Sequence, residues 1–143
     1  MYKNWSSNPP FSESITTEIV LSQEFLVKCD SIDGIRIWTN RMEQPGGTTT
    51  ITIFKAPSEQ IIHQEIIDNL SFSQNQWTLV DFSTSTIAKS QRFHMVFSSI
   101  APVKEEAINI ALSPRDEYQD GKLMINNTPV EKDIIFQYRC VVD

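Results

Sequence analysis

"GIRIWTNRMEQPGGTTTITIFK", residues 34–55, sets two alternating runs on either side of a turn signal. Ile35 and Ile37 alternate with Arg36 and Trp38, and Ile51 and Ile53 alternate with threonines. A period of two belongs to a half-buried β-strand, because successive side chains leave a strand on opposite faces. Pro45-Gly46 is the favoured centre of a type II turn. The stretch therefore reads as a β-hairpin with a longer loop.

The same alternation recurs in both directions along the chain. "ITTEIVLSQEF" (15–25) is the first strand region. "QWTLVDF" (76–82) places Thr78, Val80 and Phe82 on one face, and "RFHMVFS" (92–98) does so with Phe93, Met95 and Phe97. "AINIALS" (107–113), "KLMIN" (122–126) and "DIIFQYRCVV" (133–142) follow the pattern with Ile108, Ile110 and Leu112, with Leu123 and Ile125, and with Ile134, Phe136, Tyr138 and Cys140. Residues 58–70 are open to two readings. Ser58 as N-cap with Ile62, Ile66 and Leu70 four apart fits a helix, and the isoleucine load and strand neighbours favour a strand. About nine short alternating segments separated by polar turns are the mark of an antiparallel sandwich or barrel. The fold class expected is all-β, a two-sheet antiparallel jelly-roll β-sandwich.

Composition agrees. The chain of 143 residues carries 18 Ile, 11 Thr, 8 Val and 8 Phe against 6 Leu and 5 Ala. β-branched and aromatic side chains suit a pleated surface, whereas Ala and Leu are the stronger helix formers. The length fits one domain, residues 15–143, preceded by an extended, polar N-terminal arm over residues 1–14 that contains Pro9 and Pro10.

Charge narrows the partners. The net charge is −6, and the 12 Lys and Arg are scattered singly. A phosphate backbone requires clustered cations to displace its counterions, so no nucleic acid is expected. No membrane insertion is expected either, since no window reaches the roughly 18 consecutive apolar residues of a spanning helix. "MYKNWSSNPPF" has neither the basic nor the apolar region of a signal peptide. Cys29 and Cys140 form no metal-binding spacing. They read as two buried thiols, or as a disulfide if the first and last strands are neighbours.

The order "SQEF", "IDGIRIWTN", "ITIFKAPSEQII", "QWTLVDFS", "QRFHMVFSS", "DEYQDGKLMINN", "KDIIFQYR" resembles the galactose-binding-like jelly-roll domains, which include many carbohydrate-binding modules and bacterial extracytoplasmic domains of unassigned function. The resemblance spans most of residues 22–139 and lies in framework positions. It implies sugar binding through loops at one end of the sandwich, an extracytoplasmic location and, in many members, a structural Ca²⁺. No calcium-loop pattern of the family is matched here.

Enzyme signatures are missing: no Gly-x-Ser-x-Gly, no His-Glu-x-x-His, no glycine-rich phosphate loop. His63 and His94 lie 31 positions apart without evident partners. The expectation is a non-catalytic domain. For a sugar, an outward indole offers a platform for apolar C–H faces while amides and guanidinium groups pair hydroxyls. Trp38, opposite Ile35 and Ile37, leads that set, with Arg36, Asn40 and Arg41 along the same strand and its exit; the competing reading covers Trp38 with the arm or a loop. Trp77 is read as structural, and Trp5, in the polar arm, either as docking back on the body or as an interface anchor. "DEYQDGK" (116–122) admits a metal reading through Asp116 and Asp120. The preferred reading is a turn in which Tyr118 packs and Gly121 adopts a positive φ. Three Asn-x-Ser/Thr tripeptides, at Asn4, Asn69 and Asn126, carry no weight in so Asn- and Ser-rich a chain.

The expected function is an accessory domain binding carbohydrate or cell-envelope glycan. The alternative is a structural or protein-interaction module of a larger surface or polysaccharide-processing protein, and a small glycan-active enzyme comes third.

Overall fold

The structure, a computed structural model, describes residues 11–114 and 120–141. Its strands are β1 (Phe11–Ser14), β2 (Leu21–Leu26), β3 (Ser31–Arg41), β4 (Thr48–Lys55), β5 (Gln60–Asp68), β6 (Gln76–Ile87), β7 (Arg92–Ser99), β8 (Ile108–Leu112), β9 (Leu123–Ile125), β10 (Thr128–Val130) and β11 (Phe136–Cys140). They form two antiparallel sheets, the β-sandwich that the alternation called for. One sheet runs β10-β9-β2-β7-β4-β5. In the other, β3 is central, with β6 along one edge. Its second edge is shared by β11, opposite residues 32–37, and β8, opposite residues 39–41, and β8 carries β1.

The core lies between the sheets and is built from the alternating positions read in the sequence. Leu21, Phe25, Ile51, Ile53, Phe93, Met95, Phe97 and Leu123 come from one sheet, and Ile35, Ile37, Val80, Phe82, Ile108, Ile110 and Phe136 from the other. Phe25 is its centre, with ring centroids 5.5 Å from Phe93, 5.5 Å from Phe136 and 6.1 Å from Tyr138. Removing such apolar area from water supplies the main drive for closing the sandwich.

Several expectations need correction. Residues 34–55 are not a hairpin: β3 pairs with β6, β8 and β11, and β4 pairs with β5 and β7. The loop after Arg41 crosses from one sheet to the other. Both strands carry an apolar face, and those faces are buried against one another across the core. The left-handed residue in this loop is Gly47 (φ 76°), not Gly46. Residues 58–70 give strand β5 and a 3₁₀ turn at Asn69–Ser71, so the helix alternative falls. The strands number eleven among the described residues. The two not read, β1 and β10, are short sheet edges without a clean burial alternation. The end of the arm is thus part of a sheet, and residues 1–10, with Trp5, lie outside the described residues.

Cys29 and Cys140 are joined by a disulfide, with their Cα atoms 6.2 Å apart. The reading as two buried thiols is overturned, and Cys140 is exposed. The bond ties the segment after β2 to the end of β11 in the opposite sheet. Gly121 has no positive φ; instead, a Cβ there would overlap the backbone carbonyl of Glu24. It is a site of close backbone approach, beside the bond from Glu24 N–H to Lys122 O at 2.9 Å. The turn itself lies further on, where Asn126 (φ 50°) and Asn127 (φ 66°) join β9 to β10. Asn tolerates that region better than most residues.

Candidate functional site

Alternation along β3 sends Gly34, Arg36 and Trp38 outward, away from Ile35 and Ile37, and the registers of β6 and β11 fix their neighbours. Three cross-strand rows result. The first sets Trp38 against Trp77. The second sets Arg36 between Leu79 and Gln137, and the third sets Gly34 between Asp81 and Arg139.

In the first row the two indoles meet edge to face, with centroids 5.4 Å apart and an interplanar angle of 76°. Ala111 and Ile135 close on Trp38, and its Nε1–H donates to Asn75 Oδ1 at 3.1 Å. Trp38 is left 8% exposed. It faces outward as alternation required but is a packed side chain, and Trp77 is the more open of the two indoles.

In the second row the Arg36 guanidinium lies over the Trp77 ring, 4.5 Å from its centroid, a cation–π arrangement. Arg36 Nε–H also donates to Gln137 Oε1. Gln137 is 5% exposed, and its Nε2 is buried without a hydrogen-bond partner among the described residues. Leu79 beside Arg36 is 59% exposed.

The third row depends on a missing side chain. A Cβ on Gly34 would come within 2.9 Å of Val80 O and 3.1 Å of Arg139 Nη2. Without it, Arg139 lies across β3, with Nε 2.7 Å from Asp33 and Nη2 2.8 Å from Asp81. These hydrogen bonds, the one to Asp33 foremost, raise the Arg139 pKa.

Two clefts lie on this face, one against Arg36 and the other against Trp38. One, of about 360 Å³, is lined by Arg36, Leu79, Gln137 and Arg139. The other, of about 130 Å³, is lined by Phe11, Trp38, Asn40, Asn75 and Asn109. The first carries the guanidinium groups of Arg36 and Arg139 and the Gln137 amide, and the second carries the three asparagine amides without a guanidinium. No group of three His, Cys, Asp or Glu side chains is gathered anywhere among the described residues in a way that could hold a metal.

Of the four residues singled out from the sequence, Trp38, Arg36 and Asn40 share this face. Arg41 does not serve it: Nε donates to Phe72 O at 2.7 Å and Nη1 to Met42 O at 2.9 Å, fixing the exit of β3 and the 3₁₀ turn. Trp77, Gln137 and Arg139 were not assigned to it. Their outward phase is legible, since Trp77 and Leu79 alternate with Thr78 and Val80, but their apposition to Arg36 follows only from strand pairing.

Asp116 and Tyr118 lie outside the described residues. Asp120 pairs with Lys28 at 3.4 Å, and its carbonyl accepts from Arg92 Nη1 at 2.6 Å. A calcium shell takes six to eight oxygens, and Asp120 is the one member of the metal reading among the described residues. His63 Nε2 is 2.9 Å from Glu65 Oε1, and its ring stacks on Phe82. Asn69 is fully buried, bonded to Thr49 Oγ1 and to the carbonyls of Gly46 and Glu106, so its tripeptide presents no acceptor surface.

No family model matches the chain, and no curated protein matches it in sequence. Among the described residues no helix is long and apolar enough to cross a membrane.

Proposed function

We propose that this chain is a non-catalytic, extracytoplasmic accessory domain of the galactose-binding-like kind, and that it binds carbohydrate on the outer face of its five-stranded sheet. The observation that carries this reading is the Trp77–Arg36 pair on a sheet face that also holds two amide-bearing clefts, one against Arg36 and one against Trp38. Sugars are recognised by an aromatic body and by planar donors and acceptors that match vicinal hydroxyls. Two clefts along one sheet face suit an extended glycan more than a small enclosed ligand. On this reading the contact is with a sheet face rather than with end loops. The disulfide supports an oxidising compartment, where such bonds persist.

Affinity electrophoresis through gels cast with neutral and acidic polysaccharides tests it. Retardation by at least one polysaccharide is expected, lost in Trp77→Ala and weakened in Arg36→Ala with the melting temperature retained. Free migration of the wild-type chain in every gel would refute the reading. The interaction-module alternative draws on a different observation, the exposed apolar side chains Ile61 and Ile66 on the β5 edge.

A further inference from the structure

Among the described residues β5 pairs with β4 alone, so one of its edges is open. Open edges invite pairing and are commonly blunted by bulges and charge. β5 has a bulge near its start, where the register shifts between Ile53 and Phe54, yet it leaves Ile61 53% and Ile66 69% exposed.

The sequence of that edge is close to a palindrome. Residues 61–67 read Ile-Ile-His-Gln-Glu-Ile-Ile, the same in both directions except that His63 stands where its mirror position holds Glu65. That difference is complementary. We infer that β5 is a self-recognition edge, on which a second copy of this chain pairs antiparallel about a two-fold axis through Gln64.

In that register Gln64 faces Gln64 of the other copy and His63 faces Glu65 twice; past the bulge at Ile62, the exposed Ile61 lies on the same outer face as Ile66 and meets it from the other copy. A two-fold axis normal to the sheet keeps inward side chains inward in both copies, as an isologous contact requires. Neighbouring symmetric registers are poorer. Centring on Glu65 sets two carboxylates face to face, and centring on Ile66 sets Glu65 against Ile67.

The backbone agrees. Ala56 donates its N–H to Arg92 at the β7 side of β4, and Gly47 accepts from Asn69 at the β5 side. Alternation from these points turns the backbone groups of Ile51 and Ile53 toward β5, and with them those of their partners Glu65 and His63. The backbone groups of Gln64 and Ile66 then face the open edge. The Gln64 pair becomes hydrogen-bonded across the axis. His63 and Glu65 fall in the positions where side chains approach most closely. Glu65, already 2.9 Å from His63 of its own chain and with a side chain 40% exposed, reaches both histidines. The edge belongs to the six-stranded sheet, so the inference stands apart from the glycan reading.

Sedimentation velocity of the wild-type chain from about 1 to 500 µM tests it. The expected result is a concentration-dependent species of twice the 16.4 kDa chain mass. Ile66→Lys, at an exposed position, leaves the melting temperature unchanged and the chain monomeric. Glu65→Lys, which brings two cations against His63, weakens association by roughly tenfold or more. Adding His63→Glu restores it by exchanging the charges. A wild-type chain that stays monomeric at the highest concentration would overturn the inference. So would a dimer that survives both Ile66→Lys and Glu65→Lys, which would place the contact elsewhere.

Discussion

Removing the Cys29–Cys140 bond, by the double substitution Cys29→Ala/Cys140→Ala or by reduction, tests what holds β11 in place. The bond closes a sequence separation of 111 residues. In the chain-entropy description a loop of that length restricts the unfolded chain by about 16 cal/mol/K, worth about 4.8 kcal/mol at 25 °C. Residual structure in the denatured chain lowers the figure, so a loss of about 2–5 kcal/mol is expected. With a urea m-value of about 2 kcal/mol/M for a chain of this size, the unfolding midpoint falls by about 1–2.5 M. The assay is urea titration followed by tryptophan fluorescence, with oxidised protein, reduced protein and the double variant compared. Reduced protein and double variant should coincide. Cys140 is exposed, so reductant reaches the bond without prior unfolding. A loss below about 1 kcal/mol would refute the reasoning: β11 would then be held by its pairing with β3 and the packing of Phe136 and Tyr138 on Phe25 alone.

Other substitutions probe the corrected details of the fold. Gly121→Ala forces a Cβ into the Glu24 carbonyl and is expected to cost about 1–3 kcal/mol in thermal or urea unfolding, although its φ is ordinary. Asn127→Gly is expected to raise stability by up to about 1 kcal/mol by relieving a left-handed residue. Its neighbour has the opposite sign: Asn126→Ala loses bonds from Val20 N–H and to Glu18 O, each 2.8 Å, and is expected to cost about 1–3 kcal/mol. Asn69→Ala removes the partner of Thr49 Oγ1 and of the Gly46 carbonyl from a fully buried position, while Glu106 O keeps the bond from Gly46 N–H, and unfolding should register a loss of about 2 kcal/mol. Asp81→Asn, facing the half-exposed Arg139, should change the unfolding free energy by no more than about 0.5 kcal/mol, because water screens that pair.

The sequence by itself determined the fold class and which side chains enter the core. A period of two is a property of each strand alone, so Phe93, Met95 and Phe97, or Thr78, Val80 and Phe82, declare their common face without reference to any neighbour. The outward phase of Trp38 and Arg36 was legible for the same reason. Tertiary structure decided everything that depends on which strands lie side by side. It carried β4 away from β3 into the other sheet and brought Cys29 to Cys140. It also set Trp77 and Gln137 beside Arg36, and assigned Gly121 to close packing instead of a turn. These are contacts between residues far apart in the chain, chosen by how two apolar faces close over one core. Local alternation says that such a face exists, and only the closed sandwich fixes what it meets.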